Sequence, residues 1–482
     1  MISLLHGETA GRAIQTSPQV LEYTLLRETF SHFAREETAR ESFFETLSEL
    51  PLDEATIAYR QELLSVFLER RGLLTALKTC FSKIEKFTEE YRESRRAISS
   101  SLRIGGKAVT LQAQSELLRM TAFYLKRLLQ TLAEAEALLR HSESATAGLT
   151  RLKKRLTETV ESAAYKTLLK HAEWMQNFRL NETYCGIRLQ MDEAARIISA
   201  DLSDVNSFLP DQKRGTFFRK RMDPTEETAV ALSAINPGTD DIVLHAIANC
   251  AGVLKECAHA VYQEYLPLEK ELSFYEVACS YCDFLSGREV PYTFPTLGKD
   301  TVFLRLYDLA LLARQGSEEP VLPNDFLLPA ETDGVFVSGA NGNGKTVYLR
   351  SIASAWYLAQ SGLPVPAEKA TVAILSDLLL LMAHAEEGVS RYGRFETEAA
   401  ELRALLDRVR PGAMVFLNEL FQTTAYDEGA EGLYPILQCL TACGVKWLCV
   451  THLEQLKQRY QKVPGIQWLL LDSEHRSRPA QE

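Results

Sequence analysis

The sequence predicts an α + α/β protein, with an all-helical region over residues 1–290 and an α/β domain with a mostly parallel sheet over residues 291–482. Three observations predict this. From about Glu22 to about Ser286 apolar residues recur at three- and four-residue spacing, with Glu, Lys, Arg and Ala between them, which is the helical period. Near Gly287 the composition changes, and Pro291, Pro295, Gly298, Pro320 and Pro323 punctuate the chain. Beyond them, short apolar runs alternate with helical patterns, as parallel strands covered by helices on both faces require.

Within the helical region, residues 110–139 place Leu111, Leu117, Leu118, Tyr124, Leu125, Leu128, Leu129, Leu132 and Leu138 on or near one stripe, without proline or glycine. One long helix is expected there. Residues 149–174 resume the pattern after a break at 141–148. Two helices and a short loop read equally as an antiparallel arm, or lever, and as part of an ordinary bundle. Cys279 and Cys282 are spaced C-x-x-C, with Cys250, Cys257 and His259 upstream. These fall in apolar helical patterns, so buried thiols are expected rather than a zinc site. Cys439 and Cys443 are likewise expected in the core.

In the second region, residues 334–338 (GVFVS), 371–375, 413–417 (AMVFL), 445–450 and 466–471 read as strands, and 346–360, 396–409 and 428–441 as helices. The first strand runs into Gly339-Ala340-Asn341-Gly342-Asn343-Gly344-Lys345-Thr346, followed by Val347 and the first helix. This is the G-x-x-x-x-G-K-[ST] P-loop pattern in its strand–loop–helix setting. Glycines let backbone N–H groups turn toward phosphate oxygens, and the helix N-terminus adds positive potential. Lys345 can reach the β- and γ-phosphates of ATP, and the Thr346 hydroxyl can ligate Mg²⁺. Hydrolysis further needs an acidic group near Mg²⁺ and a base or water-orienting group at the γ-phosphate. The strand at 413–417 ends in Asn418-Glu419, making Glu419 the candidate for water and Asn418 a second Mg²⁺ contact, through water. His452 ends the next strand, within the same reach.

Composition sets broad bounds. At 482 residues, more than one domain of roughly 100–200 residues is expected. Hydrophobic residues make up 46% and charged residues 24%, an ordinary globular balance. The segment MISLLHGETAGR has no apolar stretch of the kind a secretory leader needs, no run resembles a membrane span, and nine scattered cysteines fit a reducing compartment, so a cytoplasmic location is expected. The net charge of −11 counts against a chain coated in nucleic acid over its whole surface, though not against a local basic patch.

The second region resembles the ATPase domain of the MutS family, an ABC-type P-loop fold. The resemblance rests on Pro323-Asn324-Asp325, Asn341 in the loop, Tyr348-Leu349-Arg350 after it, 364–369 (PVPAEK), Asn418-Glu419, Asp427 and Thr451-His452, in order over about residues 291–472. It implies a homodimer in which each subunit completes the other's ATP pocket, with ATP hydrolysis coupled to clamping on DNA, mismatched or branched, in repair or recombination. The preceding helices have the character of the family's core and lever. Three departures qualify this. The helical pattern begins within the first few dozen residues, leaving no room for the family's N-terminal mismatch reader. Phe274-Tyr275-Glu276 spells a triplet like that reader's wedge but lies in a helical pattern. Asn418 stands where the family has an acidic residue, so weaker Mg²⁺ binding and slower turnover are expected. Finally, 388–395 only partly matches the Gly- and Ser-rich segment offered to the partner's γ-phosphate; Ser390 and the helix start near Gly393 both remain candidates, and the loop at 421–427 lacks the family's glycines.

Duplex or branched DNA is the expected partner, held mainly by its backbone. Candidate basic clusters are Arg92, Arg95, Arg96, Arg103 and Lys107; Arg151, Lys153, Lys154 and Arg155, near the expected arm tip; and Lys213, Arg214, Arg219, Lys220 and Arg221 with Phe217 and Phe218. Each also reads as a solvated helix face paired with neighbouring acids. A competing reading of the whole chain is a nucleotide-dependent scaffold for protein partners, with slow or no hydrolysis. An unrelated P-loop ATPase would require the 364–369 and 418–452 matches to be accidental.

Overall fold

The computed structural model describes residues 3–7, 11–102, 107–140, 146–178, 183–191, 197–207, 230–231, 240–314, 320–382, 394–421 and 426–479. They cluster into two compact units: one of Thr75–Glu269, the other of Ser3–Leu74 together with Lys270–Glu482. Among the described residues, no helix is long and apolar enough to cross a membrane.

The first unit is a helical bundle. Arg71–Leu102 and Lys107–Arg140 run antiparallel, fixed by a Thr88–Tyr124 hydroxyl contact at 2.8 Å, a stacked Tyr91–Tyr124 pair and Lys83 Nζ donating to Glu134. Ala147–Glu161 and Ala163–Gln176 return along Lys107–Arg140, with Tyr165 donating to the Leu129 carbonyl at 2.9 Å. They are two helices rather than one because Ser162 takes an extended conformation and its hydroxyl caps Tyr165 N–H. Asp240–Gly287 supplies a further wall through Tyr265, stacked on Phe81. Leu118, Leu125, Leu128, Leu132, Leu152 and Leu156 fill the centre. Packing of these helices as a bundle holds in this unit. Uninterrupted helix does not: Thr183–Met191 and Ile197–Ser207 pair antiparallel, with Val230–Ala231 beside the former. Alternating apolar and polar residues, as in Ile187-Arg188-Leu189-Gln190, suit a strand.

In the second unit, a six-stranded sheet runs in the order Leu378–Met382, Met414–Asn418, Lys446–Val450, Gly334–Ser338, Ile466–Leu471, Ser477–Pro479. The first five are parallel and the last antiparallel. Leu378–Met382 was not anticipated, because a short leucine run does not distinguish strand from helix. The strand expected at 371–375 is Lys369–Val372, and it belongs to a separate four-stranded sheet with Thr296–Leu297, Thr301–Leu306 and Asn324–Leu328.

On one face of the large sheet, Val415, Leu417, Trp447 and Cys449 pack with Leu402, Leu433, Leu437 and Leu456 of the flanking helices. Lys345–Gln360 packs against the central strands Met414–Asn418 and Lys446–Val450, and is itself covered by the N-terminal segment. Tyr357 Oη meets Thr16 Oγ1 at 2.7 Å, Gln360 donates to the Pro51 carbonyl at 2.8 Å, and the wholly buried Arg60 donates to the carbonyls of Leu5 and Ser361. Nothing in the periodicity signalled that Ser3–Leu74 joins this unit.

Candidate functional site at the edge of the parallel sheet

Gly334–Ser338 delivers the chain to the 339–344 loop, and Lys345–Gln360 carries it away. The turn depends on glycine: φ is +150° at Gly339, +89° at Gly342 and +82° at Gly344, which precedes the helix. Gly339 lies against the Leu471 carbonyl, and a Cβ there would sit 2.6 Å from its oxygen. Asn343 Nδ2 donates to that same oxygen at 2.9 Å. A Cβ at Gly342 would meet nothing within 4 Å. The helix start has no side-chain cap, so the N–H groups of its first turn, from Lys345, Thr346 and Val347, face the loop. Open space, uncapped donors and a cation form a cradle suited to an anion.

Lys345 is only 5% exposed. Its Nζ donates to the carbonyls of Gly339 at 3.1 Å and Ala340 at 3.3 Å and to Asn341 Oδ1 at 3.4 Å, and lies 3.6 Å from Glu419 Oε1. Thr346 Oγ1 donates to Asn418 Oδ1 at 3.4 Å. Asn418 is 5% exposed at the end of its strand. Parallel pairing sets Asn418 beside Val450, and His452 follows two residues later. His452 Nε2 reaches 3.3 Å from Glu419 Oε1. The sheet therefore gathers Gly339 to Thr346, Asn418, Glu419 and His452 at one edge. Ser390, Gly393, 422–425 and the cluster from Lys213 to Arg221 lie outside the described residues.

Asp308, Ser477 and Glu398, which the sequence reading passed over, join residues it named only for the resemblance in holding the site in place. Asp308 accepts Arg350 Nε at 3.0 Å and Nη2 at 2.8 Å, with both side chains largely buried, and thereby anchors the helix after the loop. Tyr348 donates to the Asp325 carbonyl, and Asn324 Oδ1 accepts Ser477 N–H. The 364–369 segment is structural: Val365 and Ala367 are fully buried, and its carbonyls accept from Tyr281 and Tyr307. Glu398 accepts Phe421 N–H at 2.8 Å. It sits on the core stripe 398/402/405, where a charged residue at i, i+4, i+7 spacing was a signal open to notice.

Other motifs resolve as packing. Phe274 and Tyr275 are fully buried in Asp240–Gly287, as a domain-joining helix implies. Cys279 and Cys282 are buried too, and among the described residues no group of His, Cys, Asp and Glu is arranged to hold a metal. Cys439 and Cys443 correct the expectation of core thiols: both are exposed, Cys439 because Leu433, Leu437 and Leu440 take the inward face of the helix Tyr426–Ala442, and Cys443 in the turn after it. The Arg151–Arg155 cluster lies in the first turns of Ala147–Glu161, beside the end of Lys107–Arg140, and several of its charges have local partners. Arg155 pairs with Glu264 at 2.8 Å, Lys154 with Glu158, and Lys153 donates to the Arg140 carbonyl. Arg95 and Arg96 are exposed in the last third of the helix Arg71–Leu102.

Residues 335–480 match the model of MutS domain V. The chain is 29% identical over 155 residues to the DNA mismatch repair protein MutS of Granulibacter bethesdensis, covering 32% of this chain and 17% of that protein. It is 33% identical over 152 residues to the Endonuclease MutS2 of Thermus thermophilus, 31% of this chain and 20% of that one. A longer match, 24% identical over 444 residues, joins it to the MutS protein homolog 4 of Candida albicans and takes in 86% of this chain and 53% of the relative. The aligned stretches thus span about a fifth to a half of these relatives' lengths.

Proposed function

We propose that this chain, a member of the MutS family, binds ATP with Mg²⁺ at the 339–346 loop and hydrolyses it, in the service of DNA repair or recombination. The observation that carries this is the meeting of Lys345, Glu419 and His452 within 3.6 Å contacts beside an open glycine loop. ATP supplies a phosphoanhydride bond whose cleavage builds up negative charge on phosphate oxygens. In this reading Lys345 exchanges its loop carbonyls for the β- and γ-phosphates, and the N–H groups through Val347 cradle them. Thr346 and Asn418 offer neutral oxygens to Mg²⁺, Asn418 through water. Glu419 orients the attacking water, and His452 contacts it or the γ-phosphate. Residues 291–482 act as an ABC-type ATPase domain, residues 1–290 as core and lever, and a second copy completes the pocket through Ser390 or the helix start near Gly393. DNA is held by phosphate contacts, for which the exposed Arg95 and Arg96 are better placed than the acid-paired Arg155. Cytoplasmic action follows from the same reading.

The test is the ATPase rate of the purified chain with and without duplex and branched DNA, beside Lys345→Ala and Glu419→Ala. Turnover raised by DNA and lost in both variants supports the proposal. One observation favours a second reading: Asn418 brings no charge to the Mg²⁺ position. ATP binding without turnover, indifferent to every DNA, would leave a nucleotide-gated scaffold for protein partners.

A further inference from the structure

The turn that presents Glu419 is held in an unfavourable shape. Glu419 has φ of +55° and Phe421 +60°, and neither is glycine. L-residues rarely adopt this region unless their surroundings impose it. Three restraints do so here. Glu419 N–H donates to the Val450 carbonyl at 2.9 Å, Leu420 and Phe421 are both buried in the apolar cluster beneath the sheet, and Phe421 N–H donates to Glu398 Oε2 at 2.8 Å. The last is the unusual one. Glu398 is 1% exposed and lies on Arg394–Leu406, a helix packed against Leu378–Met382 and not part of the strand that carries Glu419. A carboxylate is seldom buried without a structural task, and a charge-assisted bond to a backbone N–H is stronger than a neutral one.

We infer that Glu398 is a positioning residue: its carboxylate fixes the 419–421 turn, and through it the reach of the Glu419 carboxylate toward Lys345 and His452. Its effect on turnover rests on the proposed hydrolysis, whereas its effect on the turn does not. Without this acceptor the turn relaxes toward negative φ and carries Glu419 away. A shift near 1 Å in a water-orienting group lowers turnover about a hundredfold.

The experiment compares Glu398→Ala with Glu398→Gln, whose amide oxygen can still accept Phe421 N–H, each alone and combined with Glu419→Gln. Expected are a kcat about a hundredfold lower for Glu398→Ala with unchanged affinity for a non-hydrolysable ATP analogue, recovery of most of it in Glu398→Gln, and no further fall when Glu398→Ala is added to Glu419→Gln. Full kcat in Glu398→Ala overturns the inference, as does an additive loss in the Glu419→Gln background. Hydrogen exchange at the Phe421 amide separates this from the hydrolysis reading. If the unaltered chain turns over no ATP, that reading fails, while faster exchange at Phe421 in Glu398→Ala and not in Glu398→Gln still upholds the role of Glu398. Unchanged exchange refutes it.

Discussion

Replacing Gly339 by alanine tests whether the loop is seated by steric contact with the last parallel strand. At φ of +150°, a methyl group would stand 2.6 Å from the Leu471 carbonyl oxygen and 3.3 Å from Leu471 Cβ. Leu471 has little room to yield, since it pairs with Ser477 and its oxygen already accepts Asn343 Nδ2. Backbone strain costs about 1–3 kcal/mol, and forcing a methyl group into a filled space about another 1–3 kcal/mol. Gly339→Ala should therefore destabilise by about 2–6 kcal/mol. Gly342→Ala is the control: φ is +89°, nothing lies within 4 Å, and only the strain of about 1–3 kcal/mol applies. Urea unfolding followed by tryptophan fluorescence measures both, and binding of a fluorescent ATP analogue reports the loop itself. Equal midpoints for the two variants would refute the argument, because the Leu471 contact would then contribute nothing.

Three further outcomes are expected. Asp308→Asn, which leaves Arg350 without its buried counter-charge, should cost about 3–5 kcal/mol in urea unfolding, with part recovered when Arg350→Met is added. Asn418→Asp places a carboxylate beside Thr346 and should lower the Mg²⁺ concentration for half-maximal turnover about tenfold, worth about 1.4 kcal/mol; an unmoved Mg²⁺ titration would remove Asn418 from the metal's surroundings. Burial pushes the thiols of Cys449 and Cys282 up to about 12 and that of Cys80 to about 11. Unfolded thiols ionise near ~8.5, so this stability is whole below about pH 8.5 and declines as the pH climbs toward 11–12. Thermal midpoints should fall over that range, less steeply in Cys449→Val, and a thiol reagent at pH 8 should label Cys439 and Cys443 before the buried cysteines.

Much of the site was legible because its parts are local. The 339–346 loop, the strands Gly334–Ser338 and Ile466–Leu471 and the pair Asn418-Glu419 are short patterns whose spacing carries their chemistry. The helical stripe of residues 110–139 was equally plain, for burial repeats every turn. Less was legible where a segment's character depends on its neighbours. Leu378–Met382 reads as apolar and nothing more until parallel partners make it a strand. The exposed Cys439 shares a helix with three buried leucines, Cys443 follows just past its end, and only packing decides which side faces in.

By itself the sequence determined that a glycine loop, a lysine and a carboxylate follow strand ends, and that a parallel sheet would bring those ends to one edge. Tertiary structure alone decided what holds them there. Arg60, Tyr357 and Gln360 bind the N-terminal segment to the helix behind the loop across some 300 residues of chain. Glu398 steadies the turn after Glu419 from a different helix. Such contacts join residues with no fixed spacing. Their evidence in sequence is at most a polar residue on an apolar stripe, and its partner is named only when the chain has folded.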